Sequence, residues 1–121
     1  MYELRFAQRS SGRYPADEFL TDLKVKSRDS YDKFLRVFET FTAKGPDGIT
    51  GLYKALQGQN GIVQFTIWKY RLLGFRDSNT VFLTNGFKKD RDDTLPQEIA
   101  RAHAIRVEHI ALQQKKKKKS S

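Results

Sequence analysis

Three short apolar segments between residues 62 and 89 dominate the hydrophobic pattern of the chain. Residues 62–67 are rich in β-branched and aromatic side chains, which favour a strand, and residues 70–75 follow closely enough to be its hairpin partner. The Asp-Ser-Asn sequence at 77–79 is typical of a turn, because these side chains bond their own backbone. Residues 81–83 then return as a third strand, so the pattern predicts a β-meander.

The segments on either side of the meander predict one more strand and three helices. Residues 2–7 alternate apolar and polar positions, which is the period of a half-buried strand. Pro15, followed closely by acidic residues, marks the start of a helix. Apolar spacings of three and four between residues 31 and 41 predict a second helix. A last helix is expected to begin at Pro96 and to reach about Gln114.

These elements predict an α+β fold. The N-terminal strand and the meander would form an antiparallel-dominated sheet of about four strands, with two N-terminal helices and one C-terminal helix. Each amphipathic helix has to bury its apolar stripe, and we expect all three on one face of the sheet. The other face would then be open and, because sheets twist, concave. In the last helix Val107 and Ile110 lie off the apolar line, which predicts oblique packing or apolar surface left for a partner.

The domain and its tail differ in composition. Residues 1–114 are predicted to form a single domain, and residues 115–121, which include five consecutive lysines, are predicted to be a disordered basic tail. The net charge is +9, but without those lysines the balance is 18 basic against 14 acidic residues. The domain itself is therefore only mildly cationic.

Basic residues nevertheless concentrate on and beside the predicted meander. They are Lys69, Arg71, Arg76, Lys88, Lys89 and Arg91, and only Asp77 and Asp90 oppose them. A local potential captures a polyanion more effectively than net charge does. The meander is therefore predicted to bind something anionic.

Several classes of site are not expected. The chain contains no cysteine, which excludes a disulfide framework and a cysteine metal site. We find no signal-like segment and no run near the roughly 20 apolar residues of a membrane span, so we expect a soluble cytoplasmic protein. His103 and His109 differ by about 240° around a helix and do not form a metal pair. The acidic residues at 90, 92 and 93 have no further ligand nearby, and no cofactor is predicted.

Three stretches of the chain resemble a known family in their order and spacing. They are Tyr-Arg-Leu-Leu at 70–73, Phe-Leu-Thr-Asn-Gly-Phe-Lys-Lys at 82–89 and Pro-Gln-Glu-Ile-Ala-Arg-Ala at 96–102. Over about residues 50–110 the chain resembles the RelE/HigB superfamily of bacterial type II toxins. The phage-derived host-inhibition branch is the most similar part of that superfamily.

The resemblance implies the toxin of a toxin-antitoxin system, an endoribonuclease (mRNA interferase) that cuts messenger RNA on the ribosome and inhibits translation. In similar toxins the ribose 2′-hydroxyl attacks the adjacent phosphate without a metal, while cations stabilise the developing charge. Arg71 matches the family's arginine and is the first candidate for phosphate stabilisation. Lys88 and Lys89 match the Gly-Phe-Lys-Lys end, where one would stabilise the phosphate or protonate the leaving oxygen.

The same resemblance implies partners and further contacts. The partners are a cognate antitoxin of the helix-turn-helix type, the ribosome and messenger RNA, and the free toxin would be monomeric. The residues expected to contact RNA are Lys54, Trp68, Lys69, Tyr70, Arg76 and Arg91. Trp68 could stack on a base or pack beside its turn. Tyr70 and Tyr53 are candidate hydroxyl groups, and Arg71 could instead pair with Glu98.

Two stretches depart from the family pattern. Gln-Phe-Thr at 64–66 stands where the branch commonly carries Glu-Leu-Arg, so Thr66 replaces a cation expected beside Arg71. The acidic loop 90–95 is longer than usual, and no general base is identified. Two other functions stay open: a non-enzymatic toxin of this fold that acts on DNA gyrase, like the ParE relatives, and an inactive module that binds an antitoxin-like partner.

Overall fold

The computed structural model describes residues 1–90 and 95–120 and has an α+β architecture. In chain order the elements are β1 (Glu3–Phe6), α1 (Pro15–Lys26), α2 (Arg28–Lys44), a 3-10 turn (Pro46–Ile49), β2 (Tyr53–Ala55), β3 (Ile62–Ile67), β4 (Tyr70–Asp77), β5 (Thr80–Lys88) and α3 (Leu95–Ser120). The predicted meander is confirmed as β3, β4 and β5. The three predicted helices are also found, although α3 is longer than expected.

The sheet is mixed and has the strand order β1-β5-β4-β3-β2. β1 pairs with β5 in parallel, whereas the other three pairings are antiparallel. The prediction of about four strands was wrong, because Tyr53–Ala55 adds a fifth strand at the edge beside β3. That segment has three residues and no clear alternation of burial, so its sequence carried little strand signal.

One face of the sheet packs against α1 and α2, and we call it the helix-pair face. Its buried core joins strand side chains such as Phe65 and Leu72 to Leu20 of α1 and Phe34 and Phe41 of α2. Phe41 stands edge-on to Phe65, with ring centroids 5.7 Å apart, an arrangement that aromatic rings favour. The apolar positions that predicted the second helix therefore contribute Phe34 and Phe41 to the larger core of the domain.

The opposite face packs against α3, and we call it the α3 face. Ile62, Leu73 and Phe75 from the meander bury themselves against Ala102 and Ile105 of α3. The prediction of all three helices on one face, with the other face open, was wrong. The central strands are apolar on both sides, as strands covered on both faces usually are, and the third helix is what covers the second side.

The C-terminal half of α3 leaves apolar side chains in solvent. Val107 is 68% exposed and Ile110 is 40% exposed, as their positions off the apolar line predict. The helix continues through the lysine run to Ser120, where composition predicts a disordered tail; the disorder in solution stays a prediction. Within residues 1–90 and 95–120, no helix combines the length and the apolar character needed to cross a membrane.

The segment after β1 is fastened to α3 by polar contacts. Glu108 accepts bonds from the guanidinium of Arg9 at 2.6 Å and from the backbone N–H of Ser10 at 2.7 Å. The Arg9 contact, followed by that backbone bond, lowers the pKa of Glu108 to about 2. The Nδ1 atom of the neighbouring His109 accepts a bond from the backbone N–H of Gln8 at 3.0 Å. We call these contacts the terminal clasp.

His109 is held in its neutral form. It is buried, and because Nδ1 is an acceptor here, the ring proton resides on Nε2. Burial, followed by the charge of Lys116, lowers the pKa of His109. A proton added at Nδ1 would face the Gln8 N–H and break the bond, so the folded state disfavours the imidazolium form.

We predict that His109 makes the domain less stable as the pH falls below about 6.5, the ordinary histidine pKa. In that range the unfolded chain takes up a proton that the folded protein resists, at a limiting slope of about 1.4 kcal/mol per pH unit. The free energy of unfolding, measured by urea titration between pH 7.5 and 5.5, should decrease as the pH is lowered, and most steeply below pH 6.5.

The slope should be reduced in His109→Gln, whose amide oxygen can still accept from Gln8 but does not titrate. His103→Gln is the matched control, since His103 lies on the same helix and its Nε2 atom lies 3.3 Å from the Gln59 side-chain oxygen, with no hydrogen bond to the terminal clasp among the described residues. An equal slope in wild-type protein and His109→Gln would contradict the prediction.

Candidate anion-binding site

Cationic residues gather at the end of the sheet where β3 turns into β4 and β5 ends. The turn consists of Trp68 and Lys69, because Ile67 pairs with Tyr70. In the next ladder Tyr70 pairs with Lys88 and Arg71 with Phe87. The backbone N–H of Lys89 donates to the carbonyl of Lys69 at 2.7 Å. We call Lys69, Arg71, Lys88 and Lys89 the basic end.

Arg71 is half-buried and is fixed on the turn by its own guanidinium. Its Nη1 atom donates to the carbonyl oxygens of Trp68 at 2.7 Å and Tyr70 at 3.2 Å. These bonds restrict the side chain to one orientation. Because both acceptors are neutral carbonyls, they do not cancel the positive charge of the guanidinium. Among the described residues no carboxylate pairs with Arg71.

The alternative ion pair between Arg71 and Glu98 is not formed. Glu98 lies 3.4 Å from the Nη1 atom of Arg101. The side-chain amide of Asn85 donates to the backbone carbonyl of Glu98 at 3.1 Å. Because Asn85 belongs to β5, this bond ties the first turn of α3 to that strand.

Lys88 and Lys89 lie on different sides of the sheet end. Lys88 is exposed and lines a cleft of about 560 Å³ with Tyr70 and with Asp22 and Lys26 of α1, so it belongs to the helix-pair face. Alternation along an extended chain directs the half-buried Lys89 to the α3 face. Arg71 shares that face, since its neighbour Phe87 packs in the α3 core.

The other predicted RNA contacts are spread more widely. Lys54 is exposed on the edge strand opposite Gln64, on the α3 face, and two strands separate it from β5. Arg76 lies at the far end of β4, five residues from Arg71, which is about 17 Å along a strand. Its Nε donates to the Ser78 carbonyl at 2.9 Å, so Arg76 does not join the basic end. Arg91 lies outside the described residues.

The aromatic candidates differ in exposure. Trp68 is 64% exposed, and its ring meets the Tyr70 ring at a centroid distance of 5.9 Å. Tyr70 also packs on Phe19 at 6.2 Å, which ties it to α1. Tyr53 lies in the helix-pair core against Phe65 at 5.1 Å, and burial raises the pKa of its hydroxyl. Tyr53 is therefore poorly placed to act on a bound phosphate.

Thr66 proves to be the direct cross-strand neighbour of Arg71. The position at which the resembled family carries an arginine is thus beside Arg71 on the same face, and here it holds a half-buried hydroxyl. The two-residue turn fixes this register, so the pairing could have been derived from the sequence by counting outward from Ile67 and Tyr70.

Neither histidine lies at the basic end. His103 contacts Gln59, and His109 packs on Phe82 at 4.9 Å near the opposite end of the sheet. In the part of the chain that the structure describes, no group of three metal-binding side chains comes together. The site therefore offers positively charged donors and, on the hairpin, an exposed aromatic ring.

No protein-family model matches the chain, and no curated protein matches it.

We predict that Arg71→Ala lowers the free energy of unfolding by about 1 kcal/mol, because it removes bonds to two carbonyls that solvent can partly replace. Arg76→Ala is the control, since it removes two contacts of a guanidinium at the other end of the same strand, the bond to the Ser78 carbonyl and the contact with the Tyr2 ring at 5.7 Å. Chemical denaturation should give similar, small losses for both variants. A loss above about 3 kcal/mol for Arg71→Ala alone would show that Arg71 is mainly a structural residue.

Proposed function

We propose that this protein is the toxin of a type II toxin-antitoxin system, a metal-independent endoribonuclease of the RelE/HigB type that cuts messenger RNA on the ribosome. The observation that carries the proposal is the position of Arg71. It stands fixed on the hairpin turn, without a carboxylate partner among the described residues, and next to Lys69 of the turn and the lysines at the end of β5. The sequence resemblance assigns a phosphate to this position.

The geometry supports a simple division of roles. The ribose 2′-hydroxyl loses its proton to solvent as its oxygen forms a bond to phosphorus, the bond from phosphorus to the 5′-oxygen breaks, and that oxygen takes up a proton, so the products are a 2′,3′-cyclic phosphate and a 5′-hydroxyl. Negative charge develops on the phosphate oxygens, and Arg71 would stabilise it with its remaining N–H donors. Because the turn already orients the guanidinium, little reorganisation is needed. Lys89, on the same face, would add charge or protonate the leaving 5′-oxygen.

The proposal extends to partners and location. A helix-turn-helix antitoxin would neutralise the toxin, the ribosome would present the message, and the protein would work in the cytoplasm as a free monomer. A short reading frame for such an antitoxin beside the gene would support this assignment.

A second candidate is an inactive module that keeps the fold and binds an antitoxin-like partner. Two observations favour it: Arg71 already bonds two backbone carbonyls, and Thr66 occupies the place of a second cation. In that case Arg71 would brace the turn and the cations would serve recognition alone. Action on DNA gyrase is a third possibility and would leave messages uncut.

We predict that brief expression of the protein stops translation and that Arg71→Ala relieves the block, because phosphate stabilisation of this kind contributes about 10²- to 10³-fold to rate. Primer extension on cellular messages should show new 5′ ends within codons for the wild-type protein and none for Arg71→Ala. Arg5→Ala is the control, since Arg5 is an exposed arginine on β1, at the other end of the sheet, paired with Glu3. Growth arrest with intact messages would contradict the proposal.

We further predict that Thr66→Arg increases cleavage, because it places a second guanidinium across from Arg71 on the same face. The rate of message cutting, followed by primer extension over time, should rise by about tenfold, which corresponds to about 1.4 kcal/mol of added transition-state stabilisation. Thr66→Gln adds comparable length without charge and should leave the rate unchanged. Equal rates for both variants would mean that charge at this position does not limit the reaction.

A further inference from the structure

Trp68 has an unfavourable backbone conformation without the compensation of burial. It is the first residue of the two-residue turn and has a φ of +52°. Glycine or asparagine usually occupies such a position, since a side chain makes the left-handed conformation costly. Trp68 remains 64% exposed. Asn60 and Ser78 have a similar φ, but of these three residues Trp68 is the one that presents a large aromatic ring to solvent, which points to a functional use of the side chain.

The exposed ring borders a shallow cavity between the hairpin and α2. The cavity has a volume of about 390 Å³ and is lined by Lys33, Arg36, Val37, Leu52, Ile67 and Trp68. Its floor is apolar, its rim carries cations, and no carboxylate belongs to its lining. Lys33 pairs with Asp29 at 3.1 Å, whereas no ion pair to Arg36 appears within the described ranges. The ammonium group of Lys69 lies 5.0 Å from the centre of the Trp68 ring.

We propose that this cavity binds one nucleotide of single-stranded RNA, with the base stacked on Trp68 and the neighbouring phosphates held by Arg36 and Lys69. An aromatic face next to cations, with an apolar floor, is the arrangement by which proteins hold unpaired bases without reading their sequence. The choice of RNA rests on the proposed ribonuclease function. The cavity lies toward the helix-pair face, so it is separate from the phosphate position proposed at Arg71.

The turn connects the cavity to the basic end. The carbonyl of Trp68 accepts the bond from Arg71, so one residue contributes its ring to the cavity and its backbone to the orientation of the guanidinium. A strand that crosses the turn would place one nucleotide at Arg71 and a flanking nucleotide on Trp68. The cavity would hold the RNA strand beside the cleavage position without taking part in the chemistry.

The single tryptophan of the chain makes the test direct. The probe is an eight-nucleotide 2′-O-methyl oligouridine, which cannot be cut by 2′-hydroxyl attack, so binding is measured apart from cleavage. We expect saturable quenching of the Trp68 fluorescence by this probe. Inorganic polyphosphate and polyglutamate of matched charge are the controls, and they should quench far less. Quenching by polyglutamate and not by the oligonucleotide would overturn the proposal in favour of an acidic protein ligand.

Variants then separate stacking from a packing role, with the anisotropy of a dye-labelled probe as the readout. Trp68→Gly should weaken binding by about 5- to 150-fold while the midpoint of thermal unfolding stays the same or rises by a few degrees, because glycine relieves the positive φ. Arg36→Gln should weaken binding, and Arg5→Gln should not. Unchanged affinity of Trp68→Gly, or a lowered unfolding midpoint in that variant, would overturn the proposal.

The outcomes also separate this cavity from the proposed reaction. Quenching by the probe without any message cutting would support the nucleotide site and reject the ribonuclease function. Message cutting without quenching would support the ribonuclease and reject the nucleotide site.

Discussion

The burial of the meander on both of its faces is the constraint on which the rest of the structure depends. Leu72 and Leu73 are adjacent on β4 and both fully buried, one in the helix-pair core and the other in the α3 core. A sheet with apolar side chains on both sides has to be covered twice. Two helices cover one side, and the third helix has to cross to the other.

This arrangement decides where polar chemistry can occur. The middle of the sheet is closed by helices, so charged side chains of the meander reach solvent at its ends. The hairpin end brings together Arg71 and Lys88 on neighbouring paired positions, and Lys69 and Lys89 next to them. Arg76 lies apart from these four cations, at the other end of β4. The two-residue turn is central to the hairpin end, because it sets the register, orients Arg71 and presents Trp68 to solvent.

Much of the fold follows from local patterns in the sequence. Local patterns favoured a single type of element in three places: the β-branched run at 62–67, the turn at 77–79 and the aromatic spacing of α2. These elements were therefore predicted with their approximate ends. The side of the sheet taken by α3, the parallel pairing of β1 and the edge strand β2 depend on contacts between distant segments, which periodicity does not encode. The apolar residues of β4 are continuous and do not alternate with polar ones. This pattern was the available sequence signal that both faces of the strand are buried.

The candidate site, like the fold, was predictable where it depends on local register and unpredictable where it depends on contacts between distant segments. Arg71 and the lysines come together because register in a hairpin follows from counting residues, and Thr66 could have been placed beside Arg71 in the same way. Arg76 was grouped with them because all belong to one meander, although five residues of extended chain separate it from Arg71. The cavity between Trp68 and α2 is formed by the packing of a helix against a turn. The sequence therefore suggested that Trp68 could stack on a base, but it did not indicate the cavity.

The terminal clasp has a consequence for biosynthesis. It joins Gln8, Arg9 and Ser10 to Glu108 and His109, partners about 100 positions apart in the chain. A ribosome adds residues from the N-terminus onward, at about 5–20 per second. Residues 8–10 therefore wait several seconds for their partners, and a nascent chain cut short before residue 108 cannot form the clasp.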